Sequence, residues 1–252
     1  VAHPILAGAE PFSARGGPNG VLVLHGFTGN PHSLRGLAQA FARAGLAVEL
    51  PLLPGHGTDL EDMIPTRWSD WSAAAQAAYA ELAGRCRAVV VAGLSMGGTL
   101  ATWLAAGHPE IAGLIAINPL IDPPAAPARE LMRGVLASGT PIAPGVGSDI
   151  ADPDSTELAY QGSPIEAALS MFDALDELVP RLGDIRCPVL LFTSPQDHVV
   201  PPGSSDVLER CVSGPVQRVT LERSYHVATL DYDAAEIEER SVEWVAKLLA
   251  DR

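Results

Sequence analysis

One stretch constrains this chain more than any other. It reads Arg87-Ala88-Val89-Val90-Val91-Ala92-Gly93-Leu94-Ser95-Met96-Gly97-Gly98-Thr99-Leu100. A run of β-branched residues ends at Gly93, and after Ser95 the residues turn small and helix-compatible through Ala105. The pattern predicts a strand, a tight turn and a helix, with G-x-S-x-G at the turn. A serine on such a turn is forced into strained backbone angles. Gly93 and Gly97 keep side chains out of the way where strand and helix crowd together. The Ser95 hydroxyl then stands above the carboxyl end of the strand, at a helix N-terminus that favours developing negative charge. A glycine-rich turn with a capping serine would share the spelling. The flanking strand and helix favour a nucleophile.

The rest of the chain supplies a frame for that turn. Val21–Gly26 is a continuous apolar run that reads as a strand buried on both faces. Residues 31–44 read as a helix with Leu34, Leu37, Ala38 and Phe41 on one face and Gly45 as its stop. Strands follow at Leu46–Leu50 and Gly113–Asn118, with a helix over Trp68–Leu82 between them. Strands alternating with helices predict an α/β protein with a mostly parallel central sheet and helices on both faces.

From Pro119 to Gly183 the rhythm breaks into a proline-rich stretch, with short helices expected near Ala128–Ala137 and Ile165–Leu178. It is too long for a simple connection and reads as a functional insertion. The expected organisation is therefore a core of residues 1–118 and 184–252 with a cap over residues 119–183. The α/β rhythm resumes with a strand over Pro188–Thr193, a helix over Ser204–Cys211, a strand over Val216–Leu221 and a closing helix over Ala234–Leu249.

A serine hydroxyl is a poor nucleophile until a base takes its proton, and the base is usually a histidine held by a carboxylate. Asp197 and His226 each sit just past the carboxyl end of a predicted strand, where the loops of a parallel sheet gather a site. Asp122 rivals Asp197 as the acid. His25, His56, His108 and His198 are the other candidates for the base. His25 and His56 read as structural, His108 as a helix-end residue, and His198 as a neighbour of the acid. A hole for the oxyanion needs backbone donors, which the spacing places at Met96, after the serine, and at Phe27, after His25-Gly26.

The net charge of −14 argues against nucleic acid or an anionic membrane as an electrostatic partner. Three cysteines without C-x-x-C spacing, and no H-E-x-x-H, point away from a disulfide framework and from a metal. No cofactor is expected. Without a leader-like or long apolar stretch in the given sequence, a cytoplasmic location is expected.

Taken together, the motifs resemble the α/β-hydrolase superfamily and, more narrowly, the bacterial monoacylglycerol lipases and their carboxylesterase relatives. The matching stretches include Ala9-Glu10-Pro11-Phe12, His25-Gly26-Phe27-Thr28-Gly29, Gly55-His56-Gly57-Thr58, Gly93-Leu94-Ser95-Met96-Gly97-Gly98, Gly147-Ser148-Asp149, Glu157-Leu158-Ala159-Tyr160, Asp197-His198-Val199-Val200-Pro201-Pro202 and Tyr225-His226-Val227-Ala228-Thr229-Leu230. They span nearly the whole chain.

The resemblance implies Ser95 as nucleophile, Asp197 as acid, His226 as base, and the Phe27 and Met96 amides as the oxyanion hole. It implies a cap closing over an acyl tunnel and a small polar pocket, with Glu157 and Asn118 as glycerol contacts. The expected activity is cleavage of a small lipid ester, a monoacylglycerol, to fatty acid and glycerol through an acyl-enzyme, with a broad carboxylesterase on short- and medium-chain esters without glycerol preference as the alternative. The cap is expected to meet lipid surfaces transiently, and the protein to be a monomer or homodimer. One departure is Pro119 directly after Asn118, followed by Pro123-Pro124, which delays the helix expected there.

Overall fold

A computed structural model describes residues 3–145 and 148–250. The first half runs β1 (Phe12–Ala14), β2 (Asn19–Leu24), α1 (Arg35–Arg43), β3 (Ala47–Leu50), α2 (Leu60–Met63), α3 (Trp68–Ala83), β4 (Ala88–Leu94), α4 (Met96–Gly107) and β5 (Gly113–Ile117). The second half runs α5 (Ala126–Ala137), β6 (Ile142–Pro144), β7 (Gly162–Pro164), α6 (Ile165–Leu178), β8 (Val189–Thr193), α7 (Gly203–Cys211), β9 (Val216–Thr220) and α8 (Ala234–Ala250).

Seven strands form one sheet in the order β1-β3-β2-β4-β5-β8-β9. Only β1 runs antiparallel; every other pairing is parallel. The expected mostly parallel sheet is therefore present, with β4 at its centre. Helices cover both faces, which is why β2, β4, β5 and β8 read as unbroken apolar runs rather than alternating ones. Alternate residues feed two cores. Leu22, Leu24 and Val91 join Trp71, Leu82, Leu100 and Leu104 on the α3–α4 side. Val21, Val23 and Val90 join Leu37, Phe41, Ile237 and Val245 on the α1–α8 side.

Most expected boundaries move by one or two residues. Residues 31–44 divide into a 3-10 turn, Pro31–Leu34, and α1. The short helix α2 and the edge strand β1 carry too little periodicity to be read from sequence.

The long connection between β5 and β8 holds both expected helices. It also holds a two-stranded hairpin, β6 with β7, that the sequence did not suggest. Pro127 stands in the first turn of α5, and the prolines before it set the late start. Helix α6 buries Ala167, Met171, Leu175 and Leu178 in the core, whereas α5 buries none of its residues. Of the expected stretch Gly147-Ser148-Asp149, Gly147 lies outside the described residues.

Two glycines test this packing in opposite senses. A Cβ on Gly97 would lie 1.9 Å from the Leu24 carbonyl oxygen, whereas one on Gly134 in α5 would meet nothing within 4 Å. Gly97→Ala is expected to leave the chain insoluble or strongly destabilised. Gly134→Ala should raise stability by about 0.5–1 kcal/mol, because alanine loses less backbone freedom in a helix. Melting curves of the two variants check both.

Candidate active site

The turn after β4 has the strain its spelling predicts. Ser95 sits at φ 56°, ψ −122°, a region open mainly to glycine. Its amide donates to the Ile117 carbonyl at 3.0 Å, which holds the turn against β5. A Cβ on Gly93 would lie 2.1 Å from the Gly97 carbonyl oxygen, so both glycines of the motif are required. Ser95 occupies the N-cap position of α4, yet its hydroxyl makes no capping hydrogen bond. The helix does not use that oxygen, which removes the capping explanation of the serine.

Asp197 and His226 meet. Asp197 Oδ2 lies 2.7 Å from His226 Nδ1, and both side chains are almost fully buried. The other carboxylate oxygen accepts the Val199 and Val200 amides at 2.8 and 2.7 Å. Asp197 is thus a turn residue and a histidine partner at once. With Nδ1 engaged, the histidine has Nε2 as its free nitrogen. Ser95, His226, Glu157, Gly26 and Phe27 all line one cavity of about 520 Å³. Its other walls are mostly apolar, among them Leu94, Leu120, Met132, Met171, Phe172, Val199 and Val200. Met96 opens α4, where an amide has no intrahelical partner.

Glu157 is the unusual group of this cavity. Burial pushes its carboxyl up to about 7, against a smaller opposing pull from His226. Among the described residues its amide is held by Ser148 Oγ at 2.9 Å, while its carboxylate has no hydrogen-bond partner.

Asn118, the other expected glycerol contact, is not among the residues that line the cavity. Its backbone is left-handed, at φ 42°. Nδ2 donates to Ser194 Oγ at 2.9 Å and to the His226 carbonyl at 2.9 Å, and Oδ1 accepts the Ser194 amide at 2.8 Å. Every polar atom of that side chain is committed to tying the end of β5 to the loops that carry Asp197 and His226.

The rival residues have other work. Asp122 lines the cavity but forms no hydrogen bond or ion pair with a histidine among the described residues. His108 bonds Gln76 and Glu110. His198 is 61% exposed and pairs with Asp149 at 2.8 Å. His25 and His56 are fully buried under the Phe27 loop, where their rings meet edge-to-face at 5.0 Å. His25 Nε2 accepts the Leu53 amide at 3.1 Å and Nδ1 faces the Gly26 carbonyl at 3.0 Å, an arrangement only the neutral ring can make. Burial holds His25 well below the usual histidine range, with the charge of His56 acting in the same direction. Burial lowers His56 to about 4.

Sequence reasoning gave Asp149, Asp231 and Ser194 no role of their own. Their hydrogen bonds reach across the chain and leave no local signature. Among the described residues the one grouping with metal-binding proximity is His3, Asp59 and Glu61, and none of the three lines the cavity.

Comparison with known proteins agrees with this geometry. The profile of the family described as "Serine aminopeptidase, S33" matches residues 18–233. The chain belongs to this family. It is 47% identical, over 97% of both chains, to the thermostable monoacylglycerol lipase of Bacillus sp. (strain H-257). It is 25% identical, over 95% of this chain and 97% of the relative, to the carboxylesterase of Bacillus subtilis (strain 168). A solved structure from work on LipS and LipT, two metagenome-derived lipolytic enzymes, superposes with a TM-score of 0.92 at 39% identity, covering 97% of this chain and all of the other. The resemblance to bacterial monoacylglycerol lipases and carboxylesterases is borne out, and the fold is the α/β-hydrolase fold. The protein is an enzyme of the lipase and esterase group. No helix among the described residues is long and apolar enough to cross a membrane.

The buried histidines set an acid limit. A histidine whose folded pKa lies below its unfolded value of 6.5 binds fewer protons when folded, so stability falls as pH drops below about 6.5. For His56 alone the loss between pH 7 and pH 5 is about 2 kcal/mol. His56→Phe, which keeps a ring against Phe27 and Trp71, should lose less melting temperature over that interval than the parent protein. Parallel melting curves from pH 7 to 5 check it.

Proposed function

We propose that this esterase hydrolyses monoacylglycerols to fatty acid and glycerol, with Ser95 as nucleophile, His226 as base and Asp197 as the carboxylate that holds it. The observation that carries the glycerol preference is Glu157, whose carboxylate has no hydrogen-bond partner among the described residues in the apolar cavity that Ser95 and His226 share. An unpaired carboxylate in an apolar wall is costly to maintain unless a ligand satisfies it. Vicinal hydroxyls suit it, because each donates a hydrogen bond. The likeness to the Bacillus monoacylglycerol lipase points the same way.

The shared cavity of Ser95 and His226 and the Asp197–His226 contact support a mechanism by acyl transfer. Ser95 Oγ attacks the ester carbon while its proton passes to His226 Nε2. Asp197 holds the ring through Nδ1–H and stabilises the imidazolium that forms. The carbonyl oxygen, now negative, lies toward the Phe27 and Met96 amides at the positive end of α4. As the tetrahedral intermediate collapses, Nε2–H gives its proton to the glycerol oxygen and glycerol leaves. Water, deprotonated by the same nitrogen, attacks the acyl-enzyme, and Ser95 recovers its proton as the fatty acid is released.

Residues 119–183 act as the cap over a core of 1–118 and 184–252. The connection contributes Leu120, Met132, Pro144, Glu157, Ser163, Met171 and Phe172 to the cavity wall. On α5, Leu131 is 71% exposed and Val135 stands beside it on the outer face, an apolar surface suited to a lipid interface.

Ser95→Ala should lower kcat by at least ~10³-fold on any ester. Retained hydrolysis would remove the mechanism. Glu157→Gln should raise KM for monolauroylglycerol about 10-fold, the worth of a hydrogen bond to a charged group, and leave methyl laurate unaffected. Because only the ionised carboxylate accepts from both hydroxyls, the preference of the parent enzyme for monolauroylglycerol over methyl laurate should grow as pH rises through about 7. That rise should be absent in Glu157→Gln. Equal effects of the variant on both esters would make this a general carboxylesterase.

A further inference from the structure

The carboxylate of Asp149 lies outside the sheet, on the connection between β5 and β8, and is 13% exposed. One oxygen, Oδ2, accepts two backbone amides at 3.1 Å, those of His198 and His226. The other lies 2.8 Å from His198 Nδ1. The backbone carbonyl of Asp149 accepts the Val227 amide at 3.0 Å. One residue of the connection therefore grips the residue beside the acid and the histidine itself.

The two loops need such a tie. They leave β8 and β9, the last strands of the sheet, so no further strand flanks them. On the inner side Asn118 and Ser194 bind them together. On the outer side Asp149 does so. Asp231 anchors the same part of the connection by accepting the Ala151 and Asp152 amides at 2.8 and 3.0 Å, together with that of Tyr225 at 2.9 Å.

We propose that Asp149 is a positioning residue: its carboxylate fixes the His226 loop against the Asp197 loop and so sets the direction in which the imidazole points. The proposal rests on the reading of His226 as the base. It assigns the connection a second task, alignment of the core residues beneath it, beyond lining the cavity. Charge-assisted hydrogen bonds from a carboxylate to backbone amides are short and directional, which suits the purpose. An ångström of displacement at a base is worth as much as ~10²-fold in rate.

The test uses Asp149→Ala, Asp149→Asn and Ser95→Ala, assayed on p-nitrophenyl butyrate well below their melting temperatures. Asp149→Ala should lose about 10–100-fold in kcat with KM little changed, because aim is lost and not binding. Asp149→Asn should recover most of it. Its amide oxygen can take the place of Oδ2, and its amide nitrogen can donate to His198 Nδ1 once that ring moves its proton to Nε2. A merely structural residue would lower the melting temperature without this kcat-specific loss and without rescue by asparagine. An alanine variant with nearly full kcat, or an asparagine variant as poor as alanine, overturns the proposal.

If Asp149→Ala does not fold, hydrogen exchange on the parent enzyme decides. The His198, His226 and Val227 amides should be protected together, and free exchange at His226 overturns the proposal. Ser95→Ala separates the two claims. If it is dead while Asp149→Ala is active, only the positioning role fails. If it too is active, the triad reading fails first.

Discussion

The left-handed turn at Ser95 is the constraint on which the rest of the structure depends. A non-glycine residue at φ 56° costs on the order of 1–3 kcal/mol and persists only where its surroundings over-determine it. Here they do. The Ser95 amide is held by Ile117 on β5, the Thr99 hydroxyl reaches back to the Ser95 carbonyl, and Gly97 lies so close to Leu24 on β2 that no side chain fits. Strand β4 is central because both neighbours are needed to hold this turn. The parallel sheet then delivers the ends of β2, β5, β8 and β9 to the same edge, so that four more loops arrive around one serine.

Those loops are joined chiefly by carboxylates that accept backbone amides. Asp197 holds Val199 and Val200 while it meets His226, Asp149 holds His198 and His226, and Asp231 holds Ala151, Asp152 and Tyr225. In a chain of net charge −14 most acids are solvated. These few are withdrawn from solvent and matched to N–H groups, the one environment in which burying a carboxylate does not need a cation. Glu157 is the exception that marks the cavity, since its carboxylate finds no hydrogen-bond partner among the described residues.

The legible parts of this fold are those with short-range causes. Strands β2, β4, β5 and β8 show as apolar runs because helices cover both faces. Ser95, Asp197 and His226 show because each stands at a strand end with its own turn chemistry. Asn118 stands at the expected strand end, but its side-chain hydrogen bonds to Ser194 and to the His226 carbonyl reach residues far along the chain, which no local pattern shows. The β6–β7 hairpin was invisible for a different reason. Its strands are three residues long, include Pro144 and Pro164, and lie far apart in the chain, so no alternation exists to be read. Asp149 belongs to a matching stretch, but its task left no local signal, since its partners lie 49 and 77 residues away.

The connection between β5 and β8 therefore cannot be treated as a lid added to a finished site. It supplies Glu157 to the cavity wall, Asp149 to the loops of the acid and the histidine, and contacts to the Phe27 loop. On that last side Tyr160 donates its amide to Thr28 at 3.1 Å, and Asn30 bonds the Leu158 carbonyl. These contacts all fall within residues 148–160, between the hairpin strands, while the exposed α5 makes none of them. The connection thus divides in physical terms. Residues 148–160 are bound to the core by a set of hydrogen bonds whose loss would disturb the histidine and the Phe27 loop together. Helix α5, which buries no residue of its own and meets α6 through Arg129 and Arg133 ion pairs with Asp173 and Asp176, is held far more weakly.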